Sequence, residues 1–303
     1  MSQAIEQLSR FDPRTAGRSD PSPSNGRYVL LDVFTDRPLE GNQLAVFTDA
    51  RAVSGEDMQR LAGELRLSET VFALPPRGEG DIAIRIFTPA SELPFAGHPV
   101  LGAAVLLASA LERDHVCMET GIGPVEVRLR REEGRVVSGW MRQPVPSWTR
   151  YEREPELLRA LGIARSGLPV EVYDNGPRHV YVELADKAAL TELRPDMQAL
   201  EALGEVGVNC FAGAGRHWST RMFAPAMGVP EDPATGSAAG PLALHLSRHG
   251  RIGFGEEIEL SQGREIGRPS LLYAFAAGSA HAVERVEVGG SAVIVACGEF
   301  LLG

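Results

Sequence analysis

The chain has 303 residues, 30 of them basic and 40 acidic, for a net charge of −10. That length holds two modest domains with cores of their own. The acidic balance argues against nucleic acid or an anionic membrane surface as a partner and leaves a small molecule. Three scattered cysteines, Cys117, Cys210 and Cys297, fit a reducing cytoplasm rather than a disulfide framework and read as buried small hydrophobes. No apolar run approaches the roughly 18 residues of a membrane helix, and the N-terminus lacks the order of a secretory signal, so the chain reads as soluble and cytoplasmic.

Residues 1–26 are polar and rich in Ser, Pro, Asp and Gly, which predicts a disordered N-terminal extension with folded structure beginning at Arg27. RYVLLDVFT and GNQLAVFT then read as a strand pair across the turn RPLEG. Ser54 opens a capping pattern, and Met58, Leu61, Ala62 and Leu65 recur at helical spacing, so an amphipathic helix delivers SETVFAL at its end. Ile82, Ile84 and Ile86 alternate along a half-buried strand. The run from Val100 to Leu111 is apolar on every side, which predicts an enclosed central helix. CMETGIGPVEVRLRR and RVVSGWMRQP read as strands, and the prolines and charges after residue 143 as a boundary near 146. The second half repeats the recipe, with small helices at EPELLRALG and DMQALEALG, seven strands, and an apolar helix from about Ala238 to His249. The expected architecture is α+β: a first barrel over 27–145 and a second over 146–303, each a sheet wrapped around one apolar helix, with the last strand a candidate to return to the first barrel.

Two segments share a construction. FTPASELPFAGHPVLGAAVLL (Phe87–Leu107) and FAPAMGVPEDPATGSAAGPLALHL (Phe223–Leu246) each run from a strand ending in F-x-P-A through an acidic loop to a turn of small residues that opens an apolar helix. Such a turn presents backbone N–H groups and the positive end of the helix dipole, a natural seat for an anion. His98 stands in the first turn and Asp232 in the second, both titratable.

Each feature also has a plainer explanation. Glu69 in Ser68-Glu69-Thr70 suits a solvated loop acid as well as a catalytic one. His98 suits a packed histidine, though Gly97 and Gly102 leave backbone open on either side of it. Ser237 suits an ordinary N-cap. His245 and His249 have the i, i+4 spacing of a zinc pair, but Leu246 stands where the zinc-protease pattern needs Glu, so they read as a packed or surface pair and not a metal site. Gly213-Ala214-Gly215 lacks the third glycine of a dinucleotide fingerprint. Lys187, the only lysine, lies in a polar stretch, which argues against Schiff-base chemistry and pyridoxal phosphate.

EGNQLAVF, LSETVF, RIFTPASELPFAGHP, NGPRHVYV, NCFAGAGRHW, RMFAPAMGVPEDPATGSAAGPLALHLSRHG and REIGRPS together resemble the PhzF family of phenazine-biosynthesis isomerases, over essentially everything after residue 27. The resemblance implies a diaminopimelate-epimerase-like fold with its active site in the cleft between two similar domains. It implies cofactor-independent isomerisation of trans-2,3-dihydro-3-hydroxyanthranilate, by proton transfer from C3 to C1, with no metal and no organic cofactor. It makes Glu69 the proton-shuttling carboxylate, assisted by His98 and Asp232, and gives Ser68, Gly97, Gly236 and Ser237 to substrate binding, the small-residue turns holding the carboxylate. The cysteines that epimerases of this fold carry at both helix starts are absent here. A homodimer is implied as well. Two alternatives stay open: an isomerase or epimerase of another small amino or hydroxy carboxylate, and a non-catalytic member that binds a metabolite.

Overall fold

The computed structural model describes residues 3–11 and 26–302. The chain forms two compact units: unit 1 runs to Met141 and resumes at Gly289, and unit 2 is Arg142–Val288.

Unit 1 begins with helix α1 (Gln3–Ser9). Strand β1 (Arg27–Val33) pairs antiparallel with β2 (Asn42–Phe47), Val33 opposite Asn42. Helix α2 (Gly55–Leu65) starts on Ser54, whose Oγ accepts from the Asp57 N–H, and buries Met58, Leu61 and Ala62. It reverses the chain so that β3 (Glu69–Leu74) lies parallel to β2, with Glu69 opposite Leu44. β4 (Ile82–Phe87) runs antiparallel to β3 and buries Ile82, Ile84 and Ile86. After the short β5 (Glu92–Leu93) comes α3 (Gly97–Leu111), in which every residue from Gly97 to Ala108 is buried, as an all-apolar helix requires. The segment expected as one strand after Cys117 is a hairpin of β6 (His115–Thr120) and β7 (Gly123–Glu132). Gly123 sits at φ +111°, a conformation open to glycine, and lets the chain turn there. β8 (Arg135–Gln143) follows. Packed against α3, α1 corrects the expectation of an extension disordered throughout: Ala4, Ile5 and Leu8 share one face and are buried, a local pattern that average composition hides. The rest of that expectation lies outside the described residues.

Unit 2 opens with β9 (Ser147–Arg150), which pairs antiparallel with β10 (Glu171–Asp174) although its segment was expected as a boundary. α4 (Glu154–Leu161) lies between them in sequence. β11 (Arg178–Glu183) pairs antiparallel with β10. α5 (Lys187–Glu192) and α6 (Met197–Glu201) lead to β12 (Gly207–Ala214), parallel to β11 with Gly207 opposite His179. Leu157, Leu161, Leu190 and Leu200 from α4, α5 and α6 join Val180, Val182 and Val208 in one apolar cluster. β13 (His217–Ala224), β14 (Val229–Asp232), α7 (Gly236–Arg248), β15 (Glu257–Gln262), β16 (Ser270–Gly278) and β17 (Val283–Gly290) follow. β18 (Ala292–Glu299) then pairs antiparallel with β1, so the chain after Gly289 belongs with unit 1 and not with the second barrel.

The repeat read from sequence is therefore a repeat of topology. Pairing alternates antiparallel, parallel, antiparallel, parallel, antiparallel through β1, β2, β3, β4, β6 and β7, and again through β10, β11, β12, β13, β15 and β16. Each unit is an α+β barrel-like sheet with one buried helix, and in each that helix follows a short strand, β5 or β14.

Candidate functional site

Helix starts separate into two kinds. Ser54, Asp186 and Asp196 cap α2, α5 and α6 by accepting a backbone N–H in their first turns. No side chain caps α3 or α7, nor α4, whose first turn carries the acids Glu154 and Glu156 instead. Ala96 has no side-chain oxygen to offer at the start of α3, and Thr235, at the start of α7, commits its hydroxyl to Asp232 Oδ2 at 2.6 Å. An uncapped helix start keeps donors and positive dipole available to an outside anion. Gly97 and His98 open the first of these helices, Gly236 and Ser237 the second.

In unit 1, Glu69 heads β3 with a side chain 16% exposed, and Ser68 lies just before it in the turn from α2. Glu69 Oε2 is 3.4 Å from Nδ1 of the buried His98, which also lies 3.3 Å from Asn42 Nδ2. Burial lowers the His98 pKa to about 3, against a hydrogen bond to the Gln43 backbone that works the other way. The imidazole is therefore neutral at physiological pH, and the contact with Glu69 is not an ion pair. His98 Nε2 is buried and has no hydrogen-bond partner among the described residues, a situation native folds rarely leave without a ligand or water. Gly102 does not leave backbone open: a Cβ there would meet Leu44 at 2.6 Å and Val33 at 2.8 Å, so this glycine lets α3 lie close on β1 and β2.

In unit 2, the turn Asp232–Ser237 is held by one amide. Gln262 Nε2 donates to the Asp232 carbonyl at 2.8 Å and to Thr235 Oγ1 at 2.9 Å, while its Oε1 accepts from the Thr235 N–H at 3.2 Å. The start of α7 is tied from its carbonyl side: Gln143 donates to the Gly236 carbonyl, Asn175 to that of Ser237 and Tyr181 to that of Ala238, at 2.9, 3.0 and 2.7 Å. The Asn175 bond has a clear cause. Pro241 stands inside α7, lacks an N–H, and so leaves the Ser237 carbonyl without its helical partner. Ser237 Oγ itself lies 3.0 Å from Nε2 of the buried His179, whose Nδ1 is 3.3 Å from Asn209 Nδ2. Asn42, Asn175, His179, Asn209 and Gln262 were not among the residues singled out from sequence. Their only signal was membership of the motifs EGNQLAVF, NGPRHVYV, NCFAGAGRHW and the strand EIELSQG.

His245 and His249 do lie together, with Glu171 as a third member that sequence spacing could not supply. Their candidate ligand atoms lie within 4.8 Å of one another. The carboxylate oxygen Glu171 Oε2 is met by Tyr173 OH at 3.0 Å, His249 Nε2 at 3.1 Å, His245 Nδ1 at 3.2 Å and Arg248 Nη1 at 2.6 Å. Burial works to raise the Glu171 pKa, but hydrogen bonds from His245, Arg248 and His249 outweigh it and hold the group well below the ordinary range. The Arg248 guanidinium is ion-paired to the same carboxylate oxygen that the two histidines meet, so that oxygen already serves a cation within the fold. Of the cysteines, Cys210 is buried as expected, with its thiol pushed up to about 12 by burial, whereas Cys117 and Cys297 are half-buried, on strands β6 and β18.

Comparison with known proteins adds the family. Trans-2,3-dihydro-3-hydroxyanthranilate isomerase of Pseudomonas chlororaphis is 54% identical over 275 residues, 91% of this chain and 99% of that one. A predicted epimerase of Pseudomonas aeruginosa has a solved structure 36% identical to this chain, with a TM-score of 0.80 and coverage of 92% and 100%. A hydroxyproline epimerase of Agrobacterium vitis, 12% identical with a TM-score of 0.61 over 90% of this chain and 91% of that one, shares the fold alone. Residues 31–298 match the phenazine biosynthesis-like family PhzC-PhzF, and the chain belongs to that family.

Proposed function

We propose that this protein isomerises trans-2,3-dihydro-3-hydroxyanthranilate to 6-amino-5-oxocyclohex-2-ene-1-carboxylate, with Glu69 carrying the proton. The activity is that named for the P. chlororaphis relative at 54% identity. The observation that carries the chemistry is Glu69 Oε2 at 3.4 Å from a buried, neutral His98 at the start of an uncapped helix. A carboxylate at that place takes the proton from C3. The electron pair moves through the ring, and the resulting acid returns the proton at C1, giving an enol that tautomerises to the aminoketone. The substrate loses and regains one proton, so no oxidant, reductant or other cofactor enters the balance. A neutral His98 matters here, because an imidazolium at that distance would stabilise the Glu69 anion and weaken it as a base.

His98 and Asp232 assist the proton transfer, and Ser68, Gly97, Gly236 and Ser237 bind the substrate, its carboxylate on helix-start N–H groups and the Ser237 hydroxyl. The reading includes a cytoplasmic homodimer with no nucleic-acid or membrane partner, in keeping with the family resemblance and the net charge of −10. Among the described residues no helix is long and apolar enough to cross a membrane. The test is direct. Purified protein, exhaustively chelated and with nothing added, is mixed with the substrate and followed by NMR. Conversion to the aminoketone is expected, and an unchanged substrate signal with correctly folded protein refutes the assignment.

A further inference from the structure

We infer that His179 is a positioning residue: held by Asn209 as the Nε2–H tautomer, it donates to Ser237 Oγ and so leaves the Ser237 hydroxyl proton pointing outward as a donor to the substrate carboxylate. The inference rests on the proposed role of Ser237 and adds a hydrogen-bond polarity to it.

The polarity follows link by link. Asn209 Nδ2 lies 3.1 Å from the Gly207 carbonyl, which can only accept, so that end of the amide is its NH2. The same NH2 reaches His179 Nδ1 at 3.3 Å, so Nδ1 is the acceptor nitrogen. His179 is buried, and burial lowers its pKa to about 3, so the ring carries one proton and that proton is on Nε2. Nε2 lies 3.0 Å from Ser237 Oγ. A hydroxyl that accepts there keeps its own hydrogen for another partner. The same tautomer argues against a hydrolase-type reading of the Ser237, His179 and Asn209 constellation, since a base that activates serine must offer Nε2 as a lone pair. Two local features guard the arrangement. Gly207 faces His179 across the parallel pair, where a Cβ would stand 2.6 Å from Nδ1, so any side chain would displace the ring. Asn175 holds the Ser237 carbonyl, fixing the backbone from which the hydroxyl projects.

The test joins spectroscopy to binding. Long-range proton–nitrogen correlation on protein with 15N-labelled histidine rings reads the His179 tautomer in the wild type. Calorimetric titration with 3-hydroxyanthranilate is then run on wild type, Ser237→Ala, Asn209→Asp, the double variant and His179→Gln, each checked by circular dichroism and thermal melting. The ring proton is expected on Nε2. Asn209→Asp puts an acceptor beside Nδ1, draws the proton there and turns the Ser237 hydroxyl inward. It should weaken binding about tenfold, as Ser237→Ala does, with no further loss in the double variant. His179→Gln, whose amide N–H replaces Nε2–H, should bind within about twofold of wild type. A wild-type ring proton on Nδ1 overturns the inference whatever the variants do, including an Asn209→Asp that fails to fold. Wild-type affinity in Asn209→Asp, or losses that add in the double variant, overturns the relay while leaving Ser237 as a ligand. Wild-type affinity in Ser237→Ala removes the carboxylate contact, and with it both this inference and that part of the functional reading.

Discussion

The third core strand starts differently in the two repeats. β3 begins at Glu69, and the histidine beside it, His98, comes from the helix α3. β12 begins at Gly207, with no side chain at all, and the histidine beside it, His179, comes from the neighbouring strand β11. In both cases an asparagine amide lies 3.3 Å from the histidine Nδ1, Asn42 in unit 1 and Asn209 in unit 2, and burial keeps the ring neutral. On the proposed assignment of residues, one topology carries two kinds of chemistry. Unit 1 pairs a neutral imidazole with a carboxylate, a combination that moves protons. Unit 2 pairs one with a hydroxyl, a combination that orients a hydrogen bond. The expectation that follows is a division of kinetic effects, with turnover falling on unit 1 and affinity on unit 2.

Glu69→Gln should break this division most visibly. Loss of the proposed proton carrier is expected to lower kcat by about 10²–10⁴ or more while affinity for 3-hydroxyanthranilate stays near wild type, the amide keeping shape but not basicity. Steady-state rates set beside calorimetric affinities check it. A variant that binds poorly but turns over normally once saturated would reverse the assignment of roles.

The sequence carried the parts of this comparison that local pattern can carry. Alternating Ile82, Ile84 and Ile86 marked β4, the all-apolar run marked α3, and the shared F-x-P-A construction exposed the repeat. What it did not carry were contacts between distant positions. Asn42 and His98 are 56 residues apart, and His179 and Ser237 are 58 apart, so neither pair leaves a periodicity to read. β9 was missed for a related reason: it is a strand because β10 pairs with it, in a stretch whose own composition reads as linker. Glu69, named from motif resemblance, and His98, marked by its turn as well, do meet, whereas the Asn42 amide beside His98 emerges only from the fold.

Asn175 offers a finer probe, confined to unit 2. Asn175→Ala should cost about 1–3 kcal/mol of stability by leaving the Ser237 carbonyl buried without a donor. In a Pro241→Ala background the restored backbone N–H should recover much of that loss, because the helix then supplies the missing bond. Denaturant unfolding of the four proteins of this cycle measures the coupling, and strictly additive losses would separate Asn175 from Pro241.

A last effect is one of pH, and it tests what the two units share. His98 and His179 have folded pKa values of about 3 against about 6.5 unfolded, so between those values the unfolded chain binds more protons. Their contribution is complete above about pH 6.5 and is lost as pH falls toward 3. His179→Gln should show a shallower decline of Tm between pH 6.5 and 4.5 than wild type. An identical decline would mean that His179 takes up its proton without penalty in the fold.

The central claim, that one carboxyl lifts and returns the proton, is tested most directly by the fate of the migrating hydrogen. Substrate deuterated at C3 is converted in ordinary water, and the product is examined by NMR for label and stereochemistry at C1. A single Glu69 carboxyl predicts part of the deuterium at C1, delivered to the face of the ring from which it left C3, and no conversion with Glu69→Gln. Hydrogen arriving at C1 from the opposite face would contradict the account and require a second proton donor.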